Sequence, residues 1–222
     1  MKTLILFLAI IASIQLRAQQ LFPYNDELPY KVISSSIEFP KTDSIKALII
    51  KLDGNDLKNF EKTIVNNPQV IEIKLIGTTQ QAADILSANA SKALTYLFLI
   101  DVVGNDFQLK KFPYMEVLSI SSFTLIEINM VGSELNSLGI VALQTPKLSI
   151  WKTDTLFPEL SLVDLLAPDL NTFPIKSSPK LFQMVYTCSL NEIPTFLCSC
   201  EELKHISFNN TKNITIDPCF KQ

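Results

Sequence analysis

An apolar residue, followed three and five positions later by two more, recurs along this chain at nearly even intervals. The triads are Ile45/Leu48/Ile50, Val70/Ile73/Leu75, Leu94/Leu97/Leu99, Met115/Leu118/Ile120, Leu135/Leu138/Ile140, Leu160/Val163/Leu165, Leu181/Met184/Tyr186 and Leu203/Ile206/Phe208, with steps of 25, 24, 21, 20, 25, 21 and 22 residues. The chain is 47% apolar, so three chosen positions are all apolar about one time in ten, and a single triad carries little weight. The even succession is what constrains the fold. A period of this size marks units that cannot bury their own apolar edges and do so only by stacking on their neighbours.

The N-terminus stands apart from this pattern. Met1 and Lys2 precede a twelve-residue apolar run, Thr3 to Ile14, that ends near Leu16-Arg17-Ala18, the layout of a secretory signal peptide. The run is shorter than the ~18 apolar residues a membrane-spanning helix needs, and Asp101 interrupts the other long apolar stretch, Ala93 to Val103. A chain that loses residues 1–18 keeps seventeen basic and twenty-two acidic residues, a net charge of −5, which disfavours nucleic acid as a partner. The expected product is a single-domain exported protein, secreted or periplasmic, with no transmembrane segment after cleavage.

The stretches "LSLVDLLAPDLNTFP" from Leu160, "MEVLSISSFTLIEI" from Met115 and "IPTFLCSCEELKHISF" from Ile193 carry the spacing beyond the triads. Here the chain resembles the leucine-rich repeat family, whose unit runs L-x-x-L-x-L-x-x-N/C-x-L. The resemblance implies an α/β solenoid, a curved stack of about eight repeats over residues 45–222 that includes a C-terminal cap. One parallel sheet would line its concave face, with helices or irregular returns on the convex face. The chain departs from the family at the ninth position, where asparagine or cysteine normally bonds the turn backbone. It has Asp53, Thr78, Val102, Phe123, Leu143, Pro168, Ser189 and Thr211 there, and Cys188 fits the role if its repeat is one residue short.

The return segments change character along the chain. "NDLKNFEKTIVNNP" offers Asp56 as an N-cap, one face of Leu57, Phe60 and Ile64, and a stop at Asn66-Asn67-Pro68, which predicts a short helix. "TTQQAADILSANAS" predicts another, capped by Thr79. Later returns are shorter and interrupted by Pro146, Pro158, Pro174, Pro179 and Pro194, and are expected to be extended or 3₁₀. Residues 19–44 fit no repeat and are read as an N-terminal cap.

Cys198 and Cys219 are 21 residues apart, about one repeat, so equal phase in neighbouring coils would place them ~4.8 Å apart, within reach of a disulfide. Cys198–Cys219 is the preferred staple, Cys200–Cys219 the rival pairing. A zinc site is disfavoured because Cys-x-Cys lacks a second matching pair and His205 is the only histidine.

No Gly-x-Ser-x-Gly nucleophile turn accompanies His205, and Gly54, Gly77, Gly104, Gly132 and Gly139 are never two apart, so no phosphate-cradling loop is visible. Neither an enzyme nor a cofactor is expected. Sequons occur at Asn89, Asn209 and Asn213. The third and fifth positions of each unit alternate with the inward ones along a short strand and should face the inner curve. They are Ala47/Ile49, Glu72/Lys74, Tyr96/Phe98, Val117/Ser119, Ser137/Gly139, Leu162/Asp164, Gln183/Val185 and His205/Ser207. The candidate binding residues among them are Glu72, Lys74, Tyr96, Phe98, Val117, Ser119, Asp164, Gln183 and His205. The family resemblance implies capture of a protein or other macromolecule through this curve. The alternative is a structural or envelope-associated scaffold whose curve has no ligand.

Overall fold

The computed structural model describes residues 29–54, 57–154, 156–190, 192–210 and 219. The signal-like segment 1–18, the proposed cap Asp56 and the sequon at Asn213 lie outside the described residues.

The inward triads become the buried side of one parallel sheet. Its nine strands are β1 (Tyr30–Ser34), β2 (Ala47–Lys51), β3 (Glu72–Ile76), β4 (Tyr96–Ile100), β6 (Val117–Ser121), β8 (Ile140–Gln144), β10 (Leu162–Leu166), β11 (Gln183–Cys188) and β12 (His205–Asn210), side by side in chain order. The sheet is open, not a closed barrel. A second parallel sheet, which the sequence patterns do not announce, forms from β5 (Asp106–Gln108), β7 (Glu127–Asn129) and β9 (Ile150–Lys152) on the return side. One continuous core, from Leu48 to Cys200, fills the space between strands and returns.

Register is fixed at both ends of each strand by backbone bonds that any residue can make. The carbonyl just before each strand accepts two N–H groups from the next coil. Lys46 accepts from Ile71 and Glu72, Ile71 from Thr95 and Tyr96, Thr95 from Glu116 and Val117, and Glu116 from Gly139 and Ile140. The series continues with Gly139 accepting from Ser161 and Leu162, Ser161 from Phe182 and Gln183, and Phe182 from Lys204 and His205.

This column corrects the expected fifth unit. Ile140 pairs with Val117 and Leu162, Val141 with Leu118 and Val163, and Leu143 with Ile120 and Leu165. Leu138, Val141 and Leu143 therefore hold the inward triad, and Ser137 and Gly139 precede the strand. Leu135 is three residues early because its own position is also buried, in the turn that closes back from Leu138 N–H to Leu135 C=O at 3.1 Å. Met115 closes the same turn on Phe112, and Leu160 on Phe157.

With Leu138 as the origin, the starting points Ile45, Val70, Leu94, Met115, Leu138, Leu160, Leu181 and Leu203 are 25, 24, 21, 23, 22, 21 and 22 residues apart. Among the described residues only the two longest coils return through α-helices. A helix advances ~1.5 Å per residue and a strand ~3.3 Å, so a helical return needs more chain to span the same distance. Helix α1 (Lys58–Asn66) buries Phe60, Thr63 and Ile64, and helix α2 (Gln80–Asn89) buries Ala82, Ala83 and Leu86. The Thr79 hydroxyl accepts from Ala82 N–H at 3.2 Å, as the sequence predicts for an N-cap. The shorter coils return through the second sheet, extended chain or the 3₁₀ turn Thr195–Ser199.

The turn after each strand explains why no asparagine ladder is needed. Ser122, Thr145 and Ala167, one position earlier than the family's ninth, donate their backbone N–H groups to Gln144, Leu166 and Thr187 of the next coil. After β4 an extra residue intervenes. Asp101 adopts a left-handed φ of 51° and passes the bond to Val102, which donates to Ser121. Val102, Ser122, Thr145, Ala167 and Cys188 are buried in this column, and Leu52, at the same place in the first turn, is half-buried.

Part of the region expected as an N-terminal cap supplies β1, and the following chain docks on α1. Phe39 N–H donates to the Thr63 hydroxyl at 3.0 Å and Thr42 N–H to the buried Asn67 carboxamide oxygen at 3.2 Å. At the opposite end Cys198 and Cys219 form a disulfide with Cα atoms 5.9 Å apart, and Cys188 and Cys200 are free and buried. Aromatic side chains fill the core where helices are lacking. Phe173 meets Trp151 and Tyr186 edge-on at 5.7 and 5.6 Å and stacks on Phe196 at 5.8 Å. Among the described residues no helix is long and apolar enough to cross a membrane.

Burial sets the protonation of this end. It is the main cause holding the Tyr186 hydroxyl far above its ordinary range, with the Cys188 thiol beside it but outside hydrogen-bonding geometry. Burial also raises the Cys188 and Cys200 thiols above the ordinary 9.0. A raised acid pKa means that the unfolded chain releases its proton first as pH rises. The stabilisation is thus whole below the unfolded thiol range and declines above it. The melting temperature should fall between pH 7.5 and 9.5, and by less in Cys188→Ala than in the parent chain. Equal falls in a pH series of thermal melts would contradict this account.

Candidate functional site

Strand alternation sends positions three, five and seven of each coil to the side of the large sheet opposite the core. The pairing aligns them in rows. Glu72, Tyr96, Val117, Ile140, Leu162, Gln183 and His205 form one, and Lys74, Phe98, Ser119, Ala142, Asp164, Val185 and Ser207 the next. All nine candidate residues lie on this face. Ile140 and Ala142 replace Ser137 and Gly139, and β1 adds Tyr30 and Val32 at 56% and 59% exposure. A period-two reading of "YKVIS" held the signal for those two.

The face is unusually apolar for one side of a sheet. Ile49, Ile76, Tyr96, Phe98, Ile100, Leu162 and Leu166 are all half-buried on it. Val117, expected to be available, is only 5% exposed because the larger Tyr96 and Ile140 flank it in the same row. Parallel strands that read as nearly continuous apolar runs, such as "YLFLI" in β4, are typical of sheets covered on both sides.

Charge on this surface includes Lys51, Asp164 and one poorly hydrated ion pair. Glu72 and Lys74, two residues apart and therefore on the same side of β3, form an ion pair at 3.2 Å with side chains 16% and 13% exposed. The Lys74 ammonium also lies 5.1 Å from the centre of the Phe98 ring. A pair this poorly hydrated has part of its desolvation cost already met in the free protein. At the far end His205 is exposed and packs edge-on against Phe182 at 5.8 Å, with Lys204 over the same ring. Gln183 is half-buried beside it, and Ser119 and Asp164 are half-buried in the middle of the face.

The two described sequons differ. The Asn89 amide donates to the Ile85 carbonyl at 2.9 Å within α2, whereas Asn209 is exposed on β12. Among the described residues no group of three or more His, Cys, Asp or Glu side chains could hold a metal ion. Comparisons with protein-family models, curated proteins and solved structures return no match.

Because Glu72 and Lys74 share a poorly hydrated position, their contributions to stability should be coupled. Glu72→Ala and Lys74→Ala in a double-mutant cycle should show a coupling of about 1 kcal/mol or more. Strict additivity in denaturant melts would mean that water screens the pair fully.

Proposed function

We propose that the chain is an exported, leucine-rich-repeat-like solenoid of about eight repeats whose sheet face, the concave one, captures a protein partner without catalysis. The observation that carries this reading is the cluster of Tyr96 and Phe98 beside the Glu72–Lys74 pair on a broad apolar surface. Aromatic anchors next to partly desolvated polar groups are the composition of interface hot spots. The end staple supports export, since disulfides persist in oxidising compartments.

Tyr96 and Phe98 are the anchors in this reading, with Glu72, Lys74 and Ser119 around them. Asp164, Gln183 and His205 extend the contact toward the C-terminal end. Val117 lies beside Tyr96 in the same row and, being buried, makes little contact itself. Affinity capture with the tagged mature chain tests the assignment. Tyr96→Ala/Phe98→Ala should weaken retention of the captured protein by at least about tenfold while the circular dichroism spectrum stays unchanged. Undiminished retention by the folded variant would remove the face from the interaction. Self-association of the chain in dilute buffer without any captured protein would favour the scaffold reading instead.

A further inference from the structure

The C-terminal end of the stack gathers three cysteines around one opening. Cys198, Cys200 and Cys219 all line a cleft of about 360 Å³, together with Leu197, Leu203 and Ile206. Cys198 and Cys219 are joined, while Cys200, two residues from Cys198, is a free thiol at 8% exposure. Cys198 lies exposed within the 3₁₀ turn, and Cys200, at its C-cap, is buried.

Only weak contacts hold the free Cys200 thiol in place. The single proton of the Cys200 thiol is shared between the Ser178 carbonyl at 3.3 Å and the Phe196 carbonyl at 3.5 Å. Neither is a strong bond for sulfur. Exchange requires a thiolate to reach a disulfide sulfur, and Cys200 lines the same cleft as the Cys198–Cys219 bond.

We propose that this end of the stack is a thiol–disulfide exchange site, in which the staple passes between Cys198–Cys219 and Cys200–Cys219. The Cys200 thiol gives its proton to solvent and the resulting thiolate attacks Cys219 Sγ. The Cys200–Cys219 bond forms as the Cys198–Cys219 bond breaks, and Cys198 leaves as a thiolate that takes up a proton. One disulfide and one thiol stand on each side of the reaction, so neither oxidant nor reductant is consumed. The exchange moves the free thiol from a buried position to an exposed one. It also removes the Cys200 contacts to Ser178 and Phe196, loosening the last turn from the coil before it.

Differential alkylation of the full, oxidised chain tests the exchange. Free thiols are labelled first and reduced ones second, and fragment ions then assign each label between Cys198 and Cys200. In Cys198→Ser the expected product is a monomer with Cys219 fully bonded to Cys200. Cys219 recovered as a free thiol, or only in an intermolecular dimer, would overturn the proposal. A second arm does not depend on that variant folding. The parent chain is incubated in thiol-free buffer at alkaline pH and quenched in acid. First-label signal on Cys198 should rise at least tenfold over a Cys200→Ser control, with a matching loss from Cys200. Equal Cys198 labelling in the two chains would overturn it as well.

Discussion

Each coil depends on hydrogen bonds that lie between coils. The carbonyl ahead of each strand takes two N–H groups from the next coil, and the turn beyond the strand sends an N–H to the following one. These bonds come from backbone alone, so the column tolerates Lys46, Ile71, Thr95, Glu116, Gly139, Ser161 and Phe182 at the same place. What the side chains must provide is the apolar inward triad. Stability of one coil is therefore inseparable from the presence of its neighbours.

That division of labour determines how much of the fold could be read in advance. The inward triads were legible because burial demands apolar side chains at fixed offsets along a short strand. The helical returns were legible too, because α1 and α2 show one-sided apolar patterns and Thr79 supplies a cap. The fifth coil was misplaced because Leu135, in the buried turn before the strand, stands at the offset that imitates a triad. The second sheet was hidden for a different reason. Its strands are three residues long, and Phe107, Ile128 and Trp151 are single inward residues without any alternation to recognise. The left-handed Asp101 was equally silent, since aspartate there looks like any turn residue.

The face opposite the core was legible as a set of positions, and less so as a surface. Alternation alone puts Glu72, Lys74, Tyr96, Phe98 and their row partners on it. Exposure also depends on the neighbours across the sheet, and a single strand does not reveal these. Val117 is buried by flanking residues in Tyr96 and Ile140, and only the strand pairing brings them together. The same pairing sets Lys74 against Phe98, joining an ion pair from one strand to an aromatic pair from the next. The staple, by contrast, could be weighed from spacing, because one coil step separates Cys198 from Cys219.

The central claim is that the coils stack in one parallel register through the middle of the chain. Engineered cysteines read it directly, since in-register partners on adjacent parallel strands lie ~4.8 Å apart, within disulfide range. Ser119→Cys/Ala142→Cys joins residues that the register pairs, while Ser119→Cys/Gly139→Cys follows the register in which Leu135 opens the coil. Under mild oxidation the first pair should cross-link within the chain and the second should not, as mapped by mass spectrometry. Cross-linking of the second pair alone would contradict the stacking described for this protein.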